Sequence, residues 1–342
     1  MAFTPISELG EFGLIDKLTK GFPSKHADML AKGIGDDAAI IRLGEEQALA
    51  VSTDMLVEGV HFDLAYVPLR HLGYKAVAVN LSDIFAMNAI PYGVTVSIAM
   101  SSRFTVEAME ELYEGVKLAC DHWNVDLIGG DTTGSPQGLS ISVTALGQAR
   151  EDEIVYRSGA KPNDLVCVSG DIGSAYAGFL ILDREKEAFL KNPEMQPDLT
   201  DFDYVIGRQL KPEPRGDVIQ SLREKKVQPT SMMDISDGLA GELLHICKAS
   251  GTGVVIYMNK LPIDYQTIKV AEEFSIGPGT FALNGGEDYE LVFTVPLEAY
   301  NLIKDLPELH IIGKITDDIN QKEVILESGA STQLEAQGWK HF

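Results

Sequence analysis

The sequence predicts a two-domain α/β protein with mixed sheets, and three observations carry that reading. Segments with strand-like apolar runs are interleaved with segments of helical spacing, so both element types build the fold. Several strand-like segments stand next to each other as hairpin partners do, which a doubly wound parallel sheet does not allow. The length of 342 residues, with 45% hydrophobic content, suits two domains or one large one.

Residues 8–18 suit a short amphipathic helix, and 38–42 and 47–54 read as two strands around the polar turn LGEEQ. Residues 68–87 place Leu72, Ala76, Val79, Leu81 and Ile84 at helical spacing. Residues 93–100 read as a strand, and 104–123 as a helix with Val106, Met109, Leu112, Val116 and Leu118 at its apolar positions. Residues 125–129 read as a short strand entering a glycine turn, and 139–149 alternate as a strand does. The polar, turn-rich stretch 151–164 is the candidate boundary. It divides an N-terminal domain, 1–150, from a C-terminal one, 151–342. Beyond it, 165–169 is an apolar strand leading through GDIGSA into a helix, and 191–203, with two prolines, reads as a loop. Residues 239–249 form a helix candidate, with Asp237 standing in cap position before it, and 253–258 and 289–295 read as strands.

The formal net charge of −23 argues against a broad nucleic-acid-binding face, since phosphate backbones would be repelled. The acid excess reads either as a solubility device or as carboxylates converging on divalent cations. Cys120, Cys167 and Cys247 are far apart and form no CxxC pair, which disfavours a disulfide scaffold or thiolate zinc site and fits a reducing compartment. The N-terminal residues do not read as a signal peptide, and no run approaches the roughly 20 apolar residues of a membrane span, so the sequence reads as cytoplasmic.

Aspartates recur beside small residues at the ends of apolar segments. They stand in Gly35-Asp36-Asp37, Ser52-Thr53-Asp54, Asn80-Leu81-Ser82-Asp83, Gly129-Gly130-Asp131-Thr132 and Asp234-Ile235-Ser236-Asp237-Gly238, with Gly285-Gly286-Glu287-Asp288 as a further acidic motif. Magnesium takes hard oxygen ligands, and two or more such ions bridging phosphate oxygens neutralise the charge that phosphoryl transfer must stabilise. Singly, each motif also suits a turn or a helix cap; the reading rests on their number in one chain. There is no GxxxxGK[ST], no GxGxxG after a strand, no GxSxG and no HExxH. The residues themselves suggest carboxylate-held magnesium and phosphoryl chemistry, while the absent motifs disfavour a P-loop, a dinucleotide fold, a nucleophile elbow and a zinc-binding helix.

Taken in order, GIGDDAA (33–39), STDMLVEGVHF (52–62), GYKAVAVNLSD (73–83), LIGGDTT (127–133), YRSGAKPND (156–164), DISDGL (234–239), NGGEDYELVFT (284–294) and GWKHF (338–342) resemble the thiamine-monophosphate kinase family over almost the whole chain. That family is grouped with aminoimidazole ribonucleotide synthetase, selenophosphate synthetase and the hydrogenase-maturation protein HypE. The resemblance implies the two-domain aminoimidazole ribonucleotide synthetase-like fold, with N-terminal domains whose sheets form a barrel across a homodimer. It also implies ATP and several magnesium ions near that interface, and thiamine monophosphate as acceptor by direct in-line transfer without a general base. The N-terminal domain would bind ATP and magnesium and dimerise, and the C-terminal one would complete the nucleotide and substrate site.

The metal ligands implied are Asp37, Ser52, Thr53, Asp54, Asp83, Asp131, Asp234 and Asp237. Tyr113, Gly130, Asp131, Arg157 and Ser236 would meet ATP, and His61, Glu287 and Trp339 would form the thiamine site, with Glu287 facing the cationic vitamin and Trp339 stacking on its rings. Plain structural roles compete: a packed strand-end histidine for His61, a C-terminal pin for Trp339, a turn residue for Arg157, a core residue for Tyr113. Met87-Asn88-Ala89 departs from the family's Met-Gly-Ala, and asparagine tolerates the left-handed backbone such a turn needs. The competing functions are a relative with a different acceptor and a non-catalytic thiamine-phosphate or metal-binding protein.

Overall fold

The structure, a computed structural model, describes residues 5–194 and 196–337. Trp339 lies outside the described residues.

The first half opens with α1 (Gly10–Thr19), then β1 (Leu30–Lys32), β2 (Ala39–Arg42) and β3 (Gln47–Val57). α2 (Leu69–Ala86), β4 (Ile90–Met100), α3 (Val106–Trp123), β5 (Asp126–Gly134) and β6 (Leu139–Arg150) follow. Their strands form a six-stranded sheet in the order β1-β2-β3-β6-β4-β5. It is mixed: β4 and β5 are parallel, while β3, β6 and β4 pair antiparallel.

The second half runs β7 (Leu165–Ser169), α4 (Ser174–Lys191), α5 (Asp203–Leu210), α6 (Gly216–Glu224), β8 (Ser231–Asp234) and α7 (Leu239–Ser250). It continues with β9 (Gly253–Tyr257), α8 (Tyr265–Glu273), α9 (Pro278–Asn284), β10 (Leu291–Val295), α10 (Tyr300–Ile303), β11 (Leu309–Thr316), β12 (Lys322–Ile325) and β13 (Ser331–Gln333). Its seven-stranded sheet has the order β13-β12-β9-β11-β7-β10-β8, with β9 and β12 parallel among antiparallel neighbours. Among the described residues no sheet closes into a barrel.

Helix α2 organises the molecule. From Leu72 to Ala86 every residue except Asp83 is buried, because the helix has the first sheet on one side and β8, α5 and α6 on others. Against α3 it packs backbone to backbone. A Cβ on Gly73 would lie 1.9 Å from the Leu112 carbonyl oxygen, and one on Gly115 would lie 1.9 Å from that of Arg70. Only glycine admits this approach.

Three local expectations change. β5 does not stop at a glycine turn; it runs through Gly129 and Gly130 beside β4, and a Cβ on Gly130 would stand 1.9 Å from the Val96 carbonyl oxygen. Asp237 does not cap α7: the cap residue is Gly238, without a side-chain cap bond. The strand expected from 289 begins at Leu291, because Glu287 and Tyr289 take left-handed backbone, with φ of 66° and 52°. That turn lets Asp288 accept hydrogen bonds from the amides of Gly173 and Ala175 at the start of α4, at 2.6 and 3.1 Å. Asn88 takes the left-handed conformation expected of it, φ 56°, with its side-chain amide donating to the Glu153 carbonyl at 2.8 Å.

The three cysteines are all buried and unpaired. Burial pushes the thiols of Cys120 and Cys247 up to about 11, and that of Cys167 further still. No helix among the described residues is long and apolar enough to cross a membrane.

Candidate active site

The strand and helix periods bring the aspartate motifs together from distant parts of the chain. Along β3, Ser52 and Asp54 share one face and Thr53 takes the other. Along α2, Lys75, Val79 and Asp83 fall at i, i+4 and i+8 and line one cleft. Asp234 ends β8, the edge strand of the second sheet, and Asp37 sits in the bend before β2.

Ligand oxygens of Asp37, Asp83 and Asp234 lie within 4.8 Å of one another. Hydroxyls hold two of them: Ser52 donates to Asp83, and Ser82 donates to Asp234 at 2.6 Å. The guanidinium of Arg157 grips one oxygen of Asp37 at 2.7 and 3.2 Å, leaving Oδ2 buried with no hydrogen-bond partner. Asp36 is turned away. It pairs with Lys32 at 3.0 Å and accepts the Arg157 amide at 3.0 Å, so it holds the loop.

Three carboxyls this close, buried or half-buried, cannot all ionise at ordinary carboxylate values. Burial raises Asp37 to about 6, against the lowering pull of Arg157. Burial and the neighbouring charge of Asp37 raise Asp234 to about 8. Asp83 is pushed well above its ordinary range by burial and by the charges of Asp54, Asp234 and Asp37. A buried, oxygen-only donor set with an orphaned carboxylate oxygen fits a hard divalent cation such as magnesium, whose charge would reverse these shifts.

Asp83 and Asp234 line a cleft of about 700 Å³, which Asp54, His61, Lys75, Ser236, Asp237 and Glu287 also line. His61 accepts the Val57 amide at Nδ1, 3.0 Å away, and Glu287 donates its own amide to the Ser236 carbonyl at 2.7 Å. Asp237 is positioned by Glu242, which accepts its amide at 3.1 Å from the first turn of α7. Across the mouth, Lys186 of α4 bonds Asp63 at 2.8 Å, joining the two halves of the molecule.

Some expected residues stand apart. The Thr53 hydroxyl faces the other side of β3, donating to the Val143 carbonyl at 3.0 Å, so only its backbone can serve the cluster. Gly130, Asp131 and Tyr113 line a separate open groove on β5. Asp131 pairs with Ser97, which pairs with Ser142, which pairs with Met55 beside Asp54. Three strand spacings place it about 14 Å from the Asp54 strand. β5 is exposed along its whole length, and no described strand lies on its outer side.

Sequence reasoning missed the grip on Glu287. Lys75 lies 3.0 Å from one of its oxygens and Gln209 donates to the other at 2.6 Å. The signal was a lysine inside the apolar helical run GYKAVAVNLSD. It also missed Tyr66, Tyr176 and Phe179, which give the cleft its aromatic wall.

Comparison with known proteins shows the family and its fold. The profile described as AIR synthase related protein, N-terminal domain, matches residues 35–149, and the corresponding C-terminal domain profile matches 161–325. Thiamine-monophosphate kinase of Bacillus subtilis is 36% identical over 341 residues, covering 98% of this chain and 100% of the relative. That of Escherichia coli K12 is 38% identical, covering 97% and 98%. The structure of AaThiL complexed with AMPPCP and TMP superposes over 100% of both chains, with a TM-score of 0.84 and 32% identity.

Proposed function

The chain belongs to the thiamine-monophosphate kinase family, and we propose that it transfers the γ-phosphoryl group of ATP to the phosphate of thiamine monophosphate, giving ADP and thiamine diphosphate. The observation that carries this reading is the Asp37–Asp83–Asp234 constellation at the end of a cleft that also holds His61 and Glu287. Asp37, Asp83 and Asp234 would hold the ions, joined by Asp54, Asp237 and Ser52. Several bound magnesium ions supply the positive charge that lets two phosphate groups approach.

The chain's own residues then do the positioning. The accepting oxygen is already anionic near neutral pH, so no general base is required and the transfer is direct and in line. The Lys186–Asp63 pair at the mouth and the aromatic wall restrict water around the acceptor. His61 and Glu287 set the acceptor end, with Trp339 completing it, while Arg157 and Ser236 face the nucleotide phosphates.

The open β5 edge supports a homodimer. An edge strand carrying exposed Leu127 and Ile128 is a pairing template, and pairing it with a second copy would close the sheets into a barrel. Gly130, Asp131 and Tyr113 then join the nucleotide site from across that interface. The functional division falls at residues 150–151, with ATP, magnesium and dimerisation on the N-terminal side.

The test is formation of ADP and thiamine diphosphate from ATP and thiamine monophosphate, with magnesium and then with a chelator. Equal amounts of both products, lost on chelation, are expected. No product from folded protein that still binds ATP overturns the assignment.

A further inference from the structure

Lys75 is an unusual side chain to find where it is. It is 3% exposed, in the middle of a helix buried on nearly all sides, and its ammonium reaches the cleft. There it donates to the Gln209 carbonyl at 3.1 Å and pairs with Glu287 at 3.0 Å. The Gln209 side-chain amide completes the grip on Glu287 from the other oxygen. A carboxylate held on both oxygens does not present a free charge to a cation; it presents a fixed acceptor. Burying a lysine is costly unless it is paired and hydrogen-bonded, as this one is.

Distance along α2 adds a second constraint. Lys75 and Asp83 are eight residues apart on the same cleft-facing side, which is about 12 Å along the helix axis. One end of this span carries the carboxylate cluster, the other the Lys75–Glu287–Gln209 group, with Val79 between them. We propose that Lys75 and Gln209 are positioning residues that act through Glu287, and that α2 thereby measures the acceptor, matching a phosphate at one end to a ring system at the other. This rests on the kinase reading and deepens it. The selectivity it confers lies in acceptor binding, not in the handling of ATP.

The test is steady-state kinetics of Lys75→Met, Gln209→Met, Glu287→Gln and the double variant Lys75→Met/Glu287→Gln, with thermal unfolding and ATP affinity as fold controls. Lys75→Met is expected to raise KM for thiamine monophosphate about tenfold or more while KM for ATP stays within about twofold. The double variant should lose no more than Glu287→Gln alone, because the two residues act as one unit. Equal rises in both KM values, or losses that multiply in the double variant, overturn the inference. Gln209→Met removes a donor without stranding a buried charge, so it decides the matter if Lys75→Met does not fold. The same selective rise is expected of it, and an unchanged acceptor KM overturns the proposal. Wild-type turnover separates the two readings. A wild type that makes no thiamine diphosphate sinks both, whereas normal wild-type turnover with unselective variants sinks this inference alone.

Discussion

Two aspartates, each preceded by a small residue, end in opposite surroundings. Asp83, after Asn-Leu-Ser, is drawn into a buried cluster with Asp37 and Asp234, held by Ser52 and opposed by its neighbours' charges. Asp131, after Ile-Gly-Gly, lies on an exposed edge strand about three strand spacings from the strand that carries Asp54. The first site is assembled by one chain and carries an electrostatic load that bound cations would relieve. The second is left open by the chain, on a strand edge that a second copy would cover in the proposed dimer. A motif therefore states what chemistry a residue can do; burial and edge position decide whether one copy of the protein is enough to do it.

The comparison is broken most forcefully at the buried cluster. Asp83→Asn should lower turnover by about 10²–10³-fold. It removes an ionisable group from a set already short of countercharge, so the metal-free melting temperature should be no lower than the wild type's. A variant that loses stability instead would mean that Asp83 supports the fold rather than the cation.

The edge is tested next, by complementation. Asp131→Asn and Asp83→Asn should each be inactive alone. Co-expressed, they should recover up to about a quarter of wild-type turnover, because mixed dimers carry one intact site. No recovery places both residues in the service of the same chain.

The smallest effect lies in proton linkage. In the metal-free protein, Asp37 and Asp234, raised to about 6 and about 8, hold protons more tightly than the unfolded chain, where aspartate titrates near 3.8. Metal-free stability therefore falls as pH rises from about 4 through about 8. Cation binding needs the ionised carboxylates, so the rise in melting temperature on adding magnesium should grow, by a few degrees, between about pH 6 and pH 8.5. Calorimetry with and without magnesium reads this directly; a gain independent of pH would mean that these carboxyls are not the ligands.

Much of this was legible in the sequence because it is local. Helical spacing located α2, a polar turn between two apolar runs located β2 and β3, alternation located β6, and the motif order carried the family resemblance. What escaped was long-range pairing. Nothing near Arg157 announces that its guanidinium will hold Asp37, and nothing near Lys75 names Glu287, since partners that meet only after two sheets pack leave no periodic trace. β5 escaped for a different reason. Gly-Gly reads as a turn, yet here the missing Cβ lets a parallel strand lie close against Val96. Helices α5, α6, α8 and α9 are short, and the sequence reading assigned nothing to them; their apolar residues are too few to set a period by themselves.

The buried cysteines have a practical side. With all three thiols sealed in the core and pushed away from ionisation, the wild-type surface offers a thiol-reactive dye almost nothing to attack. A single cysteine placed at Ile128 would then take the label alone, and its fluorescence would report in real time whether the strand edge is open to water or covered by a second copy.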